Sequence, residues 1–283
     1  MIDFSHQRSV WESLQEYGRG IAGGLMFSVP LLFTMEVWWA GFLIHPWRML
    51  LYVLVTYGLL LLYNRFAGLR RDASWWEVAI DSVEEIGIGL VLSALILWLT
   101  GRISGESQWL ENLGKIVMEG MTIAIGVSVG TAHLGGSEGE DSGKSEAPES
   151  GSKYLAQVAV AFCGAVLFAA TMAPTEEVVM LAIEIPPLRL LTIALMTLLL
   201  VWLILHFSDF RGAKKHVDAE SLALRTRGIV TTYAVALFAS AGSLWFFGQF
   251  DGETMGVCLS SVVILGFPAA LGASAGRLLL QVS

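Results

Sequence analysis

Long apolar runs alternate with short polar segments along almost the whole chain. The runs reach about 20 residues, the length of α-helix that crosses a hydrocarbon core of roughly 30 Å. They are unbroken over stretches such as 50–63, whereas a transmembrane β-barrel shows alternating segments of about ten residues. The pattern therefore predicts an all-α polytopic membrane protein with about eight transmembrane helices.

Each predicted span is an apolar run bounded by polar or charged residues. The spans cover residues 21–44, 47–66, 78–100, 113–133, 154–184, 187–207, 228–248 and 255–279. The fifth run is longer than a bilayer requires, so we expect this helix to be tilted or broken.

The composition agrees with lipid as the main solvent of the chain. Of the 283 residues, 55% are hydrophobic and 15% are charged, against roughly 25% charged residues in soluble domains. The net charge of −8 comes in part from residues 134–152, a Gly-, Ser- and Glu-rich stretch that predicts a flexible linker. Cys163 and Cys258 lie in apolar runs, which indicates buried thiols and no disulfide. No basic surface indicates nucleic-acid binding, and the lipid bilayer is the expected partner.

The basic residues indicate the orientation of the chain. With eight spans, thirteen of the 17 Lys and Arg residues fall on the side of the chain ends. The other four are Arg48, Arg102, Lys115 and Arg189. Because cytoplasmic loops carry the excess of Lys and Arg, we expect both termini in the cytoplasm.

The two halves of the chain are similar in sequence. When residues 23–70 are shifted by 141 positions, 15 of 48 residues are identical, including Glu36 and Glu177. Each half holds four predicted spans, so both halves share one orientation and a pseudo-two-fold axis would lie along the membrane normal. The expected regions are a first four-helix repeat at 1–133, the linker at 134–152 and a second repeat at 153–283.

Glu36 and Glu177 are the candidate ion ligands. Each lies about 15 residues into a span that runs outward, roughly 22 Å along the helix axis and therefore in the outer half of the membrane. An ionisable side chain inside a span costs a few kcal/mol and usually faces a cavity, a partner or an ion path. Glu176 adds a second carboxylate beside Glu177. In the alternative interpretation, the glutamates only hold helices together, for example by pairing with Arg48 and Arg189.

Hydroxyls and prolines near these glutamates would complete an ion site. Thr34 and Thr175 precede the glutamates by two residues and join the site only where the helix is distorted. Pro30 and Pro174 favour such distortion, because proline lacks the backbone N–H and frees a carbonyl. Oxygen ligands of this kind suit hard cations such as Ca²⁺, Na⁺ or the proton.

Two further groups of charged residues lie in predicted spans. Asp81, Glu84 and Glu85 near the start of the third span form a candidate cytoplasmic mouth for cations, although acids in a first helical turn are also simply favoured by the helix dipole. In the fourth span, Lys115 and Glu119 have the i,i+4 spacing of an ion pair, which we expect near the outer interface.

Two segments match the G-x-S-x-G pattern of a hydrolase nucleophile elbow. They comprise Gly126, Ser128 and Gly130 in the first half and Gly272, Ser274 and Gly276 in the second. The motif needs a strand–turn–helix context and a histidine partner, but both segments lie in apolar predicted helices. Small residues four apart allow close helix packing, which is the favoured interpretation, with the serines as candidate pore-lining groups.

The segments 35–39 (MEVWW) and 173–177 (APTEE), set in a duplicated eight-span chain, resemble a family of bacterial integral membrane proteins of unknown function. The resemblance covers nearly the whole chain and implies a bacterial inner membrane, but no activity. Glu176 and Glu177 also resemble the paired glutamates of intramembrane CAAX-type proteases, which follow the pattern E-E-x-x-x-R. Leu181 stands at the arginine position here, which argues against a protease.

These features favour a cation channel or transporter that binds or selects a hard cation at Glu36 and Glu177. We expect no enzymatic activity and no cofactor other than a bound cation such as Ca²⁺ or Na⁺. A monomer would bring two of these carboxylates to the path, and a homodimer would bring four. The alternatives are a non-transporting membrane scaffold or sensor and, third, an intramembrane hydrolase.

Overall fold

The computed structural model describes residues 17–18, 20–25, 34–67, 74–105, 108–134, 150–212 and 222–282. Within these ranges the chain is helical and forms no strand. Its helices are α1 Met35–Leu43, α2 Pro46–Ala67, α3 Trp75–Leu99, α4 Trp109–Leu134, α5 Ser150–Met172, α6 Glu176–Glu184, α7 Pro187–Gly212, α8 Leu222–Phe246 and α9 Met255–Val282. Residues 20–25 are also helical and precede α1.

Seven helices in the described part of the chain are long and apolar enough to cross a membrane: α2, α3, α4, α5, α7, α8 and α9. This confirms the prediction of an all-α polytopic membrane protein. The first predicted span, 21–44, is described only at 21–25 and 34–44. The count of eight spans therefore stays a prediction.

Consecutive spans run in alternating directions, which groups their connections at two ends of the bundle. We call the end that holds residues 100–105 and 247–254 the loop face, and the opposite end, where α2, α4 and α7 finish, the linker face. At the start of α2, the Arg48 guanidinium lies 3.7 Å from the Asp251 carboxylate and 5.3 Å from the centre of the Trp245 ring. The start of α2 therefore belongs to the loop face.

The long fifth span of the prediction is broken before its end. Helix α5 ends at Met172, and α6 begins at Glu176 after the non-helical residues 173–175. Pro174 accounts for the break, because proline has no N–H to donate and disfavours the helical conformation of the residue before it. Its carbonyl accepts a hydrogen bond from the Gln249 amide at 3.0 Å. Pro30 lies outside the described residues.

Helix α3 begins three residues earlier than the predicted span. The Ser74 hydroxyl accepts from the Glu77 backbone N–H, and the Glu77 carboxylate accepts from the Ser74 backbone N–H, which together form a capping box. Asp81, Glu84 and Glu85 therefore lie beyond the first turn, and the expectation that the helix dipole favours them there is wrong.

The two halves have the same pattern of helix contacts. In the first half α1, α2 and α3 each pack on α4, and in the second α6, α7 and α8 each pack on α9. The halves meet where α2 and α4 contact α5, and the Cys163 thiol donates to the Leu59 carbonyl there at 3.4 Å. The matching contacts agree with a duplicated unit, while the symmetry axis stays a prediction.

Glycines bring the central helices into backbone contact with their neighbours. Gly41 of α1 lies against Gly114 of α4, and a Cβ on Gly114 would overlap the Gly41 carbonyl oxygen. Gly164 of α5 and Gly272 of α9 face each other in the same way. Such close approach allows dispersion contacts between membrane helices, which water does not drive together.

Candidate functional site

Glu119 is an acidic side chain fully buried inside a membrane span. It lies in α4 with no exposed surface, and neither carboxylate oxygen has a hydrogen-bond partner among the described residues. Acids buried inside proteins are almost always paired or hydrogen-bonded. Glu119 is an exception to this rule.

The predicted ion pair between Lys115 and Glu119 is wrong. The Lys115 ammonium instead lies 2.5 Å from the Glu111 carboxylate and donates to the Arg102 carbonyl at 3.1 Å. Side chains on a helix lean toward its N-terminus, so Lys115 reaches back toward the loop face and away from Glu119. Glu111 and Lys115 lie near the start of α4 at the loop face, whereas Glu119 lies one helical turn beyond Lys115, deeper in the membrane.

Two aromatic residues supply the polar neighbours of Glu119. Trp38 of α1 is buried, and its indole N–H lies near the Glu119 carboxyl without forming a hydrogen bond to it. Tyr52 of α2 lies near the carboxyl, and its hydroxyl is 2.7 Å from the Thr122 hydroxyl, one turn along α4. Phe246 of the second half stacks on Tyr52 with 4.8 Å between ring centres. Residues from both halves therefore enclose this part of α4.

The enclosure of Glu119 has a clear electrostatic consequence. An ionised carboxylate without a partner in an apolar interior costs several kcal/mol, and the bilayer offers no water to reduce that cost. The carboxyl is therefore stable in this conformation only when it holds a proton or another cation. A residue of this kind is a candidate binding site for the ion itself.

The glutamates singled out from the repeat lie at the beginnings of the two short helices. Glu36 is in the first turn of α1 and is partly exposed, and Glu176 and Glu177 are in the first turn of α6 and exposed. Thr34 and Thr175 are the N-cap residues, but neither side chain caps its helix. The Thr175 hydroxyl donates to the Met172 carbonyl at 2.9 Å. No described hydrogen bond or ion pair joins the two halves of this predicted site.

Glu36 nevertheless lies at about the same depth as Glu119. Gly41 of α1 contacts Gly114 of α4, and these two helices run in opposite directions. Glu36 is five residues before Gly41, and Glu119 is five residues after Gly114, so each lies about 7.5 Å below the contact. The second half lacks this arrangement because Leu265 stands at the position that matches Glu119.

A second polar cluster joins α2, α3 and α4 nearer to the linker face. The Asn64 amide donates to the Glu85 carboxylate at 2.7 Å and to the Ser82 hydroxyl at 3.2 Å. Its carbonyl oxygen accepts from the Ser128 hydroxyl at 2.7 Å. Of the three acids proposed as a cytoplasmic mouth, the structure brings Glu85 into this cluster. Asp81 is half-buried and Glu84 is exposed.

The matching part of the second half contains a buried cation instead. Arg277 of α9 donates to the Gly228 carbonyl at 2.7 Å, to the Thr232 hydroxyl at 2.6 Å and to the Gln157 side chain at 3.0 Å. Leu205 stands at the position that matches Asn64. Among the described residues, the fully buried acid Glu119 and the half-buried Glu85 with its polar partners lie in the first half.

The G-x-S-x-G segments lie in helix interiors, in a setting that does not fit a nucleophile elbow. Gly126 and Gly130 face Gly23, and Gly272 faces Gly164, so the glycines serve close packing. Gly276 lies against the Val160 carbonyl.

The two serines of these segments have ordinary structural partners. Ser128 donates to Asn64, and Ser274 donates to the Ala270 carbonyl of its own helix at 2.8 Å. A groove of about 660 Å³ between α2, α5 and α8 is lined almost entirely by apolar side chains, such as Leu62, Phe66 and Phe162. Its one polar lining residue is Thr231, whose hydroxyl lies 3.0 Å from the Tyr154 hydroxyl, so the groove is poorly suited to a cation.

Comparison with known proteins gives the family but no activity. No curated protein and no solved structure matches the chain. A family model described as "Putative integral membrane protein (DUF2391)" matches residues 16–280, nearly the whole chain. The function of that family is unknown. The chain therefore belongs to the DUF2391 family of integral membrane proteins.

Proposed function

We propose that this membrane protein transports a proton or a small hard cation and that Glu119 binds the ion inside the membrane. The observation that carries the proposal is the burial of the Glu119 carboxyl, without a hydrogen-bond partner among the described residues, in a membrane-spanning helix. An acidic side chain inside the membrane lowers the stability of the fold unless it has a partner. Such residues therefore usually belong to a substrate or proton path.

The orientation proposed for this function follows from the distribution of charge. If the chain has the eight predicted spans, thirteen of the 17 Lys and Arg residues fall on the side of the chain ends, which supports cytoplasmic termini and a loop face outside the cell or in the periplasm. We place the protein in a bacterial inner membrane, as its family resemblance implies. Glu119 then lies in the outer half of the membrane, about ten residues from the start of α4.

The proposal is tested with purified protein in proteoliposomes. Fluxes of H⁺, Na⁺, K⁺ and Ca²⁺ are compared between the wild type, Glu119→Gln and Glu253→Gln, an exposed acid of the loop face that serves as control. Glutamine keeps the size of the side chain but cannot exchange a proton or balance a cation. We expect flux of one of these ions in the wild type and in Glu253→Gln, and at least a hundredfold less in Glu119→Gln, equivalent to about 2.7 kcal/mol in the barrier.

Two outcomes of this flux assay would contradict the proposal. Wild-type protein that is folded and monodisperse but carries none of the four ions under a voltage or pH gradient would favour the scaffold or sensor instead. Equal flux in the wild type and Glu119→Gln would place the ion path elsewhere.

The two glutamates of the repeat are expected to differ in their effect on transport. Glu36 lies at the depth of Glu119 and is partly exposed, so it is placed to attract a cation toward the buried carboxyl. Glu177 has Leu265 at the matching depth. We therefore expect Glu36→Gln to lower flux by about fivefold, the effect of roughly 1 kcal/mol, and Glu177→Gln to leave it unchanged. Equal losses in both variants would instead support a symmetric site.

A further inference from the structure

One buried side of α2 carries a row of polar side chains from the loop face toward the linker face. Tyr52, Thr56, Tyr63 and Asn64 are each at most 9% exposed. Spacings of four and seven residues place Tyr52, Thr56 and Tyr63 along one side of the helix, and Asn64 follows Tyr63 about 100° further round. The row covers about 18 Å along the helix axis, more than half of a hydrocarbon core of roughly 30 Å.

The two ends of the row reach the two acids of the first half. At one end Tyr52 lies near Glu119 and bonds Thr122. At the other end Asn64 donates to Glu85, which is only partly buried. The row therefore lies between the fully buried carboxyl of Glu119 and the half-buried carboxyl of Glu85, which is about ten residues from the start of α3 at the linker face.

The middle of the row contains hydroxyl groups that form no hydrogen bond with the described residues. These are Thr56 Oγ1 and the Tyr63 hydroxyl, both in buried side chains. Thr197 stands at the position of the second half that matches Thr56, is equally buried, and donates to the Ile193 carbonyl at 2.8 Å. Ser93, Tyr233 and Ser261 elsewhere in the described core also have buried hydroxyls without a partner, so it is the position of Thr56 and Tyr63 between two acids that points to a role in conduction.

We propose that the transported cation is a proton and that it moves between Glu119 and Glu85 along this side of α2. The inference rests on the proposed function of Glu119. In each transfer an O–H bond of the Glu119 carboxyl breaks, the intervening hydroxyls and water molecules each accept one proton and donate another, and an O–H bond forms on the Glu85 carboxylate. Glu119 then takes up another proton from the loop side and Glu85 releases its proton on the linker side, so the net change is one proton moved toward the linker face and no redox partner is required.

The ligands available in the described part of the chain favour a proton over a metal ion. A hard metal cation needs about six oxygen ligands, whereas a proton needs one carboxyl and a chain of hydrogen-bonding groups. Among the described residues no group of three or more His, Cys, Asp or Glu side chains is placed to hold a metal. The buried Arg277 of the second half would also repel a cation there, which leaves the first half as the favourable route.

The stretch between Thr56 and Tyr63 is expected to limit the rate. It covers about 10 Å of helix and is flanked by the buried Leu59 and Leu60. Water molecules must bridge this stretch for a proton to pass, and apolar walls make their presence brief. The arrangement suits slow transport better than an open channel.

The test measures proton flux into proteoliposomes with a pH-sensitive dye inside. Thr56→Val is compared with Thr197→Val, because both remove one buried hydroxyl from matching positions of the two halves. Tyr63→Phe and Glu85→Gln are measured with them, and size-exclusion profiles and thermal midpoints verify the fold of each variant. We expect Thr56→Val, Tyr63→Phe and Glu85→Gln each to lower proton flux by about tenfold, because each removes one group that would accept and donate a hydrogen bond during proton transfer. We expect Thr197→Val to match the wild type.

The outcomes separate this route from the proposed function. If Glu119→Gln abolishes proton flux but the three variants of the row transport as fast as the wild type, the route is wrong and Glu119 keeps its role. If the flux that depends on Glu119 is of Na⁺, K⁺ or Ca²⁺ and proton flux is absent, the assignment to protons is wrong. If the wild type carries no cation, both this route and the proposed function fail.

Discussion

Replacement of Glu119 by leucine is expected to remove transport while raising the thermal stability of the protein. Leucine occupies the matching position 265 of the second half, where it is completely buried. Burial of a polar group without hydrogen bonds lowers the free energy of unfolding by about 1–3 kcal/mol. An apolar side chain of similar size should raise the free energy of unfolding by that amount. We expect the melting midpoint in detergent to rise by several degrees and cation flux to fall to the background of empty liposomes.

Glu111→Leu is the matched control on the same helix. Glu111 pairs with Lys115 near the loop face, so its loss leaves the partly buried ammonium of Lys115 without its carboxylate. We expect this variant to melt at a lower temperature and to retain transport, the opposite of Glu119→Leu in both respects. A lower melting midpoint for Glu119→Leu would show that the carboxyl has a stabilising partner, which contradicts our description of the site.

The largest loss of stability is expected from Gly164→Val. Gly164 of α5 faces Gly272 of α9, and a Cβ at either position would overlap the carbonyl oxygen of the other. Overpacking of an ordinary core costs about 1–3 kcal/mol, and a larger cost is expected here because the obstructing atoms belong to a helix backbone. We expect little monodisperse protein after extraction in mild detergent.

Gly242→Val in α8 tests whether this loss is specific to the contact. No heavy atom lies within 4 Å of a Cβ built at Gly242, so valine has room there. This variant should be extracted in wild-type yield with a similar melting midpoint. Wild-type behaviour of Gly164→Val would mean that α5 and α9 do not approach as closely as the structure indicates.

Several features of the fold follow from local sequence alone. Unbroken apolar runs predict spanning helices because the bilayer offers no other way to satisfy the backbone. Pro174 favours the break between α5 and α6, since its ring and missing N–H disfavour a continuous helix, although α9 continues through Pro268. The start of α3 could also have been found, because Ser74 and Glu77 have the spacing of a capping box.

The central residue of the site was missed because its environment is not local. The i,i+4 spacing of Lys115 and Glu119 is a valid rule for an isolated helix, but it does not say which of two acids a lysine will contact. Glu111 also lies four residues from Lys115, on the side toward which the lysine leans. The burial of Glu119 depends on α1 and on Phe246, which is 127 positions away in the chain. One feature of the sequence does indicate this site: Glu119 lies deep in an apolar run, and the matching residue of the second half, Leu265, is apolar.

The similarity between the two halves favours, as candidate site residues, those that both halves share. Glu36 and Glu177 both lie in the first turn of a short helix, where the helix dipole favours an acidic side chain. The buried polar groups lie where the halves differ, as at Asn64 and Leu205. Identical pairs in the two halves therefore do not reveal polar groups that only one half contains.

Infrared difference spectroscopy gives the most direct test of the central claim, that Glu119 takes up and releases a cation within the membrane. Spectra of the reconstituted protein are recorded as the pH is changed, for the wild type, Glu119→Gln and Glu36→Gln. The account predicts a carboxylic-acid carbonyl band, or a carboxylate band that responds to a metal cation, that is present in the wild type and in Glu36→Gln and absent in Glu119→Gln. Identical difference spectra for the wild type and Glu119→Gln would contradict it.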